Sequence, residues 1–286
     1  MNALLNSGAD GLMLGLIYGV AAMGLTLIFG VMRVVNLAHG AAIVAGMFWV
    51  YLISTAFHIH PYISLGLILV AGLIIGVAIY FIAIHRIIDS PELMTLLSTY
   101  SVSLMVIGAG TVFFSTTPRS ISVDLGLLSV GPVQILGSRI ASAVFSLAVT
   151  GLLYALLYRT RLGTYIRAVS NNRSAASLVG INTRLVLAVS FGLGIMMASF
   201  AGGLIGTLFP FTVLSGGPYE LRSFLIVVLG GLGNPTGALA GGILLGLIEG
   251  VATQFLQVSW VPVLEFTLLV VILLVRPEGI LARWNR

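Results

Sequence analysis

The sequence predicts an all-α fold: a polytopic transmembrane helical bundle of eight or nine membrane segments with one short cytoplasmic helix. Three observations predict it. Of 286 residues, 59% are hydrophobic and only 7% charged, with a mean hydropathy of +1.15, whereas about 25% charged residues is usual in soluble domains. Apolar runs long enough to cross a membrane recur along the chain, about 20 residues being needed for a hydrocarbon core about 30 Å thick. Finally, the segment Arg159 to Arg184, RTRLGTYIRAVSNNRSAASLVGINTR, holds five of the thirteen arginines and interrupts the apolar pattern. Short basic loops between spans stay on the cytoplasmic side.

The candidate spans follow in order. They are Gly11–Phe29, Ala38–Phe57, Ile63–Ile84, Leu93–Phe114, Ile140–Tyr158 and Leu185–Phe209, then a shorter stretch Arg222–Leu232, then Gly237–Phe255 and Pro262–Val275. No cleavable signal peptide is expected, because the first 32 residues carry no basic residue and only Asp10 as an acid. The whole of residues 1–286 reads as one membrane domain, with the basic loop 159–184 as its cytoplasmic feature.

Placing that loop inside orients the rest. Five crossings earlier, the N-terminus falls outside; the Arg33 turn and the His85–Glu92 loop fall inside. The His58–Pro61 turn and Thr116–Ser138 fall outside. The C-terminal arginines 276, 283 and 286 belong inside by the same bias. That requires an even number of crossings after Arg184, so the short Arg222–Leu232 stretch must cross. Nine crossings result; eight with a re-entrant element and an external tail is the alternative.

Composition also excludes functions. The chain has no cysteine, and every basic residue is arginine. Disulfides, iron–sulfur clusters and thiolate zinc sites are excluded. So is a standard P-loop, which needs Gly-Lys-Ser/Thr around phosphate. Any ATP-driven work belongs to another polypeptide. The net charge of +5 reflects arginines between spans and does not signal nucleic acid. The four histidines supply no metal site: His58 and His60 share a turn without a third ligand nearby. No nucleophile–base constellation is visible, so no enzyme activity and no cofactor are expected.

Small residues recur one turn apart at Gly11, Gly15 and Gly19, at Ala198, Gly202 and Gly206, and at Gly242, Gly246 and Gly250. Such stripes let helix backbones approach closely. Residues 11–21, GLMLGLIYGVA, resemble 242–252, GILLGLIEGVA. With nine crossings the two run in opposite directions, as inverted repeats do, although chance can produce such a match in so apolar a chain.

Within the basic loop, Ser174–Val179 suits about two helical turns. Asn171, Asn172 and Ser174 are N-cap types, and Gly180 supplies a stop. Arg167, Arg173 and Arg184 surround this helix with charge a partner could engage.

Ser174-Ala-Ala-x-x-x-Gly180 resembles the EAA loop of ABC-importer permeases, the coupling helix that seats in a cleft of the ATPase subunit. More specifically, Arg167-Ala-x-x-x-Asn-x-x-x-Ala-x-x-x-Gly-Ile-Asn182 resembles the coupling segment of branched-chain amino acid permeases. So do GLTLIFGVMRVVNLAHG at 24–40 and VLGGLGNPTGA at 228–238. The RVVNLAHG block is similar to the H-type rather than the M-type permease. There are departures. Ser174 stands where the generic motif has Glu, its downstream proline is absent, Ala41 replaces a frequent acid, and Tyr100 a common glycine. The last two leave the exact substrate open.

The resemblance implies an ATPase-coupling set of Arg167, Asn171, Arg173, Ala175, Ala176, Gly180, Ile181 and Asn182. It also implies a heterodimer with an M-type permease, two cytoplasmic ABC ATPases and an external solute-binding protein, in the lipid of the bacterial cytoplasmic (inner) membrane. The solute would be a branched-chain amino acid or a related small polar molecule. Candidate pathway residues are Tyr18, Asn36, His39, Ser98, Thr99 and Glu249. Asn36 and His39 would line or brace an inner gate. Glu249 is an intramembrane acid, functional by default, placed to meet a substrate ammonium or Tyr18. Glu265 reads as an interface residue, and the polar fourth span as a pathway wall. An ion-coupled secondary transporter using Glu249 is the rival reading; it leaves the coupling-type loop unexplained.

Overall fold

In the computed structural model, which describes residues 2–130, 133–276 and 279, the apolar runs fold into eleven α-helices. The first are α1 (Asn2–Met32), α2 (His39–Phe57), α3 (Pro61–Ile79), α4 (Glu92–Phe114) and α5 (Gly137–Arg159). A π-helical turn, Tyr80–Ile84, continues α3. The basic loop holds α6 (Arg161–Asn171) and α7 (Arg173–Leu178). The chain then forms α8 (Thr183–Gly206), α9 (Gly216–Gly230), α10 (Pro235–Ala252) and α11 (Val261–Val275). Among the described residues, eight helical stretches are long and apolar enough to span a membrane. The expected all-helical bundle is present. Two details differ from the sequence reading. The basic loop makes two helices instead of one, and the outer segment pairs β1 (Leu127–Val130) with β2 (Val133–Leu136) as a small antiparallel hairpin. Arg283 and Arg286, expected inside, lie outside the described residues.

Helix starts at the arginine-rich end share one chemistry. Asn172 accepts from the Ala175 amide at 2.9 Å, Asn182 from Leu185 at 3.1 Å, Asn234 from Gly237 at 3.1 Å and Thr160 from Gly163 at 3.1 Å. Each side chain satisfies an amide that the first helical turn leaves without a partner.

α8 is the central column, with most of its length buried, and α1 is the next most enclosed. Residues Gly72 and Gly76 of α3 face Met196 and Gly192 of α8, while Leu65 and Ile68 face Gly203, so the two helices are antiparallel. On α1, Gly11 faces Gly246 and Gly250, Gly15 faces Gly242, and Gly19 faces Leu239. Hence α1 and α10 are also antiparallel, and the two similar glycine segments are each other's packing partners.

These directions favour nine crossings over eight. α8 is the sixth span and runs against α3; α10 runs against α1, in the same sense as α8. One crossing must separate them, and α9 supplies it. Its 15 residues reach only about 22 Å at 1.5 Å per residue. The remainder comes from Thr207–Ser215, where Phe211 exchanges backbone hydrogen bonds with Arg119 of the outer loop at 2.8 and 2.9 Å.

The passage from α1 to α2 is the other irregular feature. Arg33 turns the chain with φ +55°, and residues 33–38 run back beside α1. Thr99 of α4 anchors this stretch: its hydroxyl oxygen accepts from the Leu37 amide at 3.2 Å, while its proton goes to the Leu96 carbonyl at 3.0 Å, with the Val35 carbonyl 3.4 Å away. α2 therefore starts where the His39 ring faces the Ala21 backbone, eleven residues or about 16 Å above the end of α1. Val34, Asn36 and Ala38 are buried, as non-helical backbone at membrane depth must be.

Candidate functional site

The arginine-rich end is built on α6 and α7. Gly163, Ile166 and Val169 fall on one face of α6 and are buried, while Arg161, Thr164 and Tyr165 are exposed. Ser170 donates to the Gly30 carbonyl at 2.6 Å, fastening α6 to the end of α1. The Gly233 amide donates to Thr26 at 3.0 Å, joining the start of α10 to the same place. The end of α1 is thus the common anchor of α6 and of the start of α10.

α7 leaves Asn172 and closes at Gly180, whose φ is +84°. The Ile181 amide returns to the Ala176 carbonyl at 3.1 Å. Ala176 faces inward and is 4% exposed, so its small size is set by packing within this chain, not by an external cleft. Ala175 faces out. Leu178 and Val179, absent from the sequence-derived set, are 88% and 77% exposed. Arg173 pairs with Asp89 at 2.7 Å, tying α7 to the loop before α4. Arg167 turns back onto the Leu157 carbonyl and stacks over Tyr158 at 5.1 Å. Arg184 stacks over Phe81 at 5.5 Å. Asn171 is exposed, Ile181 half-buried, and Asn182 caps α8. Of the three arginines expected to meet a partner, each already has a contact within the chain.

The second polar concentration lies at membrane depth, where α1, α9, α10 and α11 meet. Arg222 donates through Nη2 to Glu249 at 3.0 Å and through Nε to Glu265 at 2.8 Å. Its guanidinium lies between the rings of Tyr18 and Tyr219, at 5.3 and 5.6 Å from their centroids. Glu249 is therefore no lone acid, and Glu265, read from sequence as an interface residue, belongs to the same cluster. Tyr18 and Glu249 are brought together as expected. Arg222 was the residue missed. Its signal was available: an arginine inside a span needs a carboxylate, and the later spans offer Glu249 and Glu265.

Asn36 and His39 sit at the buried start of α2, both 0% exposed. Asn36 Oδ1 accepts from the Ala38 amide at 3.1 Å, while its Nδ2 and both His39 ring nitrogens reach no hydrogen bond of normal geometry. Glu220, the neighbour of Tyr219, lies against Gly40 in the same first turn. Ser98 and Thr99 are apart from this group: Ser98 donates to the Ala83 carbonyl at 2.7 Å, and Thr99 holds the 33–38 stretch. Both brace α4.

Comparison with known proteins agrees with this architecture. The family described as branched-chain amino acid transport system / permease component matches residues 8–275. The high-affinity branched-chain amino acid transport system permease protein LivH of Escherichia coli strain K12 is 32% identical, covering 96% of this chain and 94% of that protein. LivH of Salmonella typhimurium strain LT2 is 31% identical, with the same coverage. The corresponding permease BraD of Pseudomonas aeruginosa is 28% identical over 96% of this chain and 94% of its own length. No solved structure matches the chain. The helices, their order and the matched residues lead to one conclusion: this chain belongs to the branched-chain amino acid transport permease family.

Proposed function

We propose that this multi-pass permease is the H-type subunit of an ATP-driven importer in a bacterial cytoplasmic membrane. It carries branched-chain amino acids or related small polar solutes. An M-type permease, two cytoplasmic ATPases and an external binding protein complete the assembly. The matched relatives are named as branched-chain amino acid permeases, which supports the solute class.

The observation that carries the coupling role is the outer edge of α7. Leu178 and Val179 present aliphatic side chains, 88% and 77% exposed, on a polar loop beyond the spans. Lipid covers apolar residues within the hydrocarbon; here a protein partner does so. The loop is stiffened for such contact, with a side-chain cap at Asn172, a glycine turn at Gly180 and the Arg173–Asp89 pair.

Co-expression with the ATPases and M-type permease of the same organism tests this reading. Affinity purification through this chain should recover both, and ATP hydrolysis in proteoliposomes should rise with the loaded binding protein. Recovery of the chain alone, with solute uptake driven by an ion gradient and no ATP, overturns it.

A further inference from the structure

Arg167 and Asn171 belong to the segment that resembles a coupling motif, yet neither lies on the outer edge of α7. Both line a cavity of about 220 Å³ where the ends of α1 and α5 meet α6 and the start of α10. Leu27, Val31, Leu157 and Ile166 supply apolar lining; Tyr158, Arg167 and Asn171 supply polar lining. The Ser170 hydroxyl and the Gly233 amide, also at the cavity, are spent on Gly30 and Thr26. No carboxylate is present there. Arg167 is half-buried and joins no salt bridge among the described residues. Its hydrogen bond to the Leu157 carbonyl uses one of five N–H donors. A cation with donors to spare and no acid beside it favours an anion.

The spans that form the cavity set its level. Val31 is one residue from the end of α1, Leu157 two from the end of α5, and Pro235 opens α10. The cavity therefore lies where the spans leave the hydrocarbon, at the level of lipid phosphates. On α5, Leu147, Gly151, Tyr154 and Tyr158 follow at helical spacing and are all exposed, so they form one outward stripe. The rings of Tyr154 and Tyr158 lie 4.4 Å apart, and tyrosines gather where a span meets the headgroups. Arg159 and Arg161 follow directly, and residues 159–184 contain no acid. Basic pockets between spans on the cytoplasmic side bind anionic headgroups.

We propose that this cavity holds the phosphate of an anionic phospholipid. Arg167 and Asn171 donate to the phosphate oxygens, Tyr158 flanks the glycerol, and the acyl chains run along the outward stripe of α5. The bound lipid fastens α6, the helix that leads into α7, to the ends of α1 and α5. The proposal goes beyond the permease reading and requires neither the solute nor the ATPases.

The test uses the full chain, with any subunits that co-purify, delipidated in a neutral detergent. Phosphatidylglycerol and phosphatidylcholine of equal chain length are titrated, and bound lipid is counted by native mass spectrometry. Wild type should prefer phosphatidylglycerol about fivefold or more, the worth of roughly one basic residue at an anionic surface. Arg167→Gln should abolish that preference, and Arg167→Lys, which keeps the charge, should retain part of it. Asn171→Ala alters an exposed side chain, so folding is preserved; it should weaken phosphatidylglycerol about threefold, as one lost hydrogen bond does. Arg184→Gln, on the same loop but stacked over Phe81 and outside the cavity, should bind like wild type. Inorganic phosphate and glycerol phosphate should not displace the lipid; displacement by either at millimolar concentration makes the ligand a free phosphate and overturns the lipid. Equal phosphatidylglycerol affinity in wild type, Arg167→Gln and Asn171→Ala overturns the site. So does an equal loss in Arg184→Gln, or a companion permease that co-purifies and excludes the lipid from wild type.

Discussion

Gly15 of α1 and Gly242 of α10 meet backbone to backbone. A Cβ built at Gly15 would stand 2.6 Å from the Gly242 carbonyl oxygen and 2.9 Å from the Ile243 Cα. Lipid tails solvate apolar side chains as well as protein does, so helix association in a bilayer depends on such close packing. Gly15→Val and Gly242→Val should each destabilise the α1–α10 pair, overpacking typically costing about 1–3 kcal/mol. Thermal unfolding in detergent would register this as a lower midpoint. Gly8→Val, where nothing lies within 4 Å, should unfold like the wild type.

The exposed edge of α7 and its buried face should respond differently. Leu178→Ser and Val179→Ser should each reduce co-purification with the ATPase roughly tenfold, equivalent to about 1.4 kcal/mol, with unchanged thermal stability. Ala176→Trp should lower the stability of the chain itself, because Ala176 is packed within it. Equal ATPase recovery from the two serine variants would remove α7 as the docking element.

Gly180 isolates a backbone effect. A Cβ there meets nothing within 4 Å, yet φ is +84°. Gly180→Ala should therefore cost about 1–2 kcal/mol through left-handed strain alone. Faster amide exchange at Ile181, whose amide bonds to Ala176, would report the loosened turn; exchange at the wild-type rate would contradict it.

Asp89 and Thr99 bracket the value of polar contacts in this fold. The Asp89–Arg173 pair is exposed, with side chains 80% and 40% accessible, and Asp89→Asn should change stability by less than about 1 kcal/mol. Thr99→Val leaves the Leu37 amide without its acceptor, a loss of about 1–3 kcal/mol for a buried group. Denaturation of both variants in one detergent should rank Thr99→Val as clearly the weaker protein.

Crossing number is open to direct labelling, since the chain has no cysteine. Leu214→Cys, exposed ahead of α9, should react with an impermeant maleimide from outside intact cells. Leu232→Cys, exposed between α9 and α10, should react only in inverted vesicles. Labelling of both from one side would break the nine-crossing topology and the orientation inferred from the arginines.

The spans were legible because solvent chemistry writes them into composition: each needs a long apolar run, and most of the arginines lie between the runs. The observed helices lie within a few residues of the expected ranges, apart from α1, which starts nine residues before Gly11, and α9, which starts six before Arg222. The caps Asn172 and Gly180 were readable for the same reason, since capping is local. The hairpin of β1 and β2 was not, because strands of four residues are too short to display a period of two.

What the sequence determined by itself was therefore membrane character, family resemblance and the place of the basic loop, all properties of residue type and near spacing. Only the tertiary structure decided which glycine stripe meets which, that α9 runs antiparallel to α10, and that Ala176 turns inward. Only it brought Arg222 between Glu249 and Glu265, residues 27 and 43 positions away. Those outcomes depend on helix direction and rotation, set by packing between segments far apart in the chain, which no local pattern specifies.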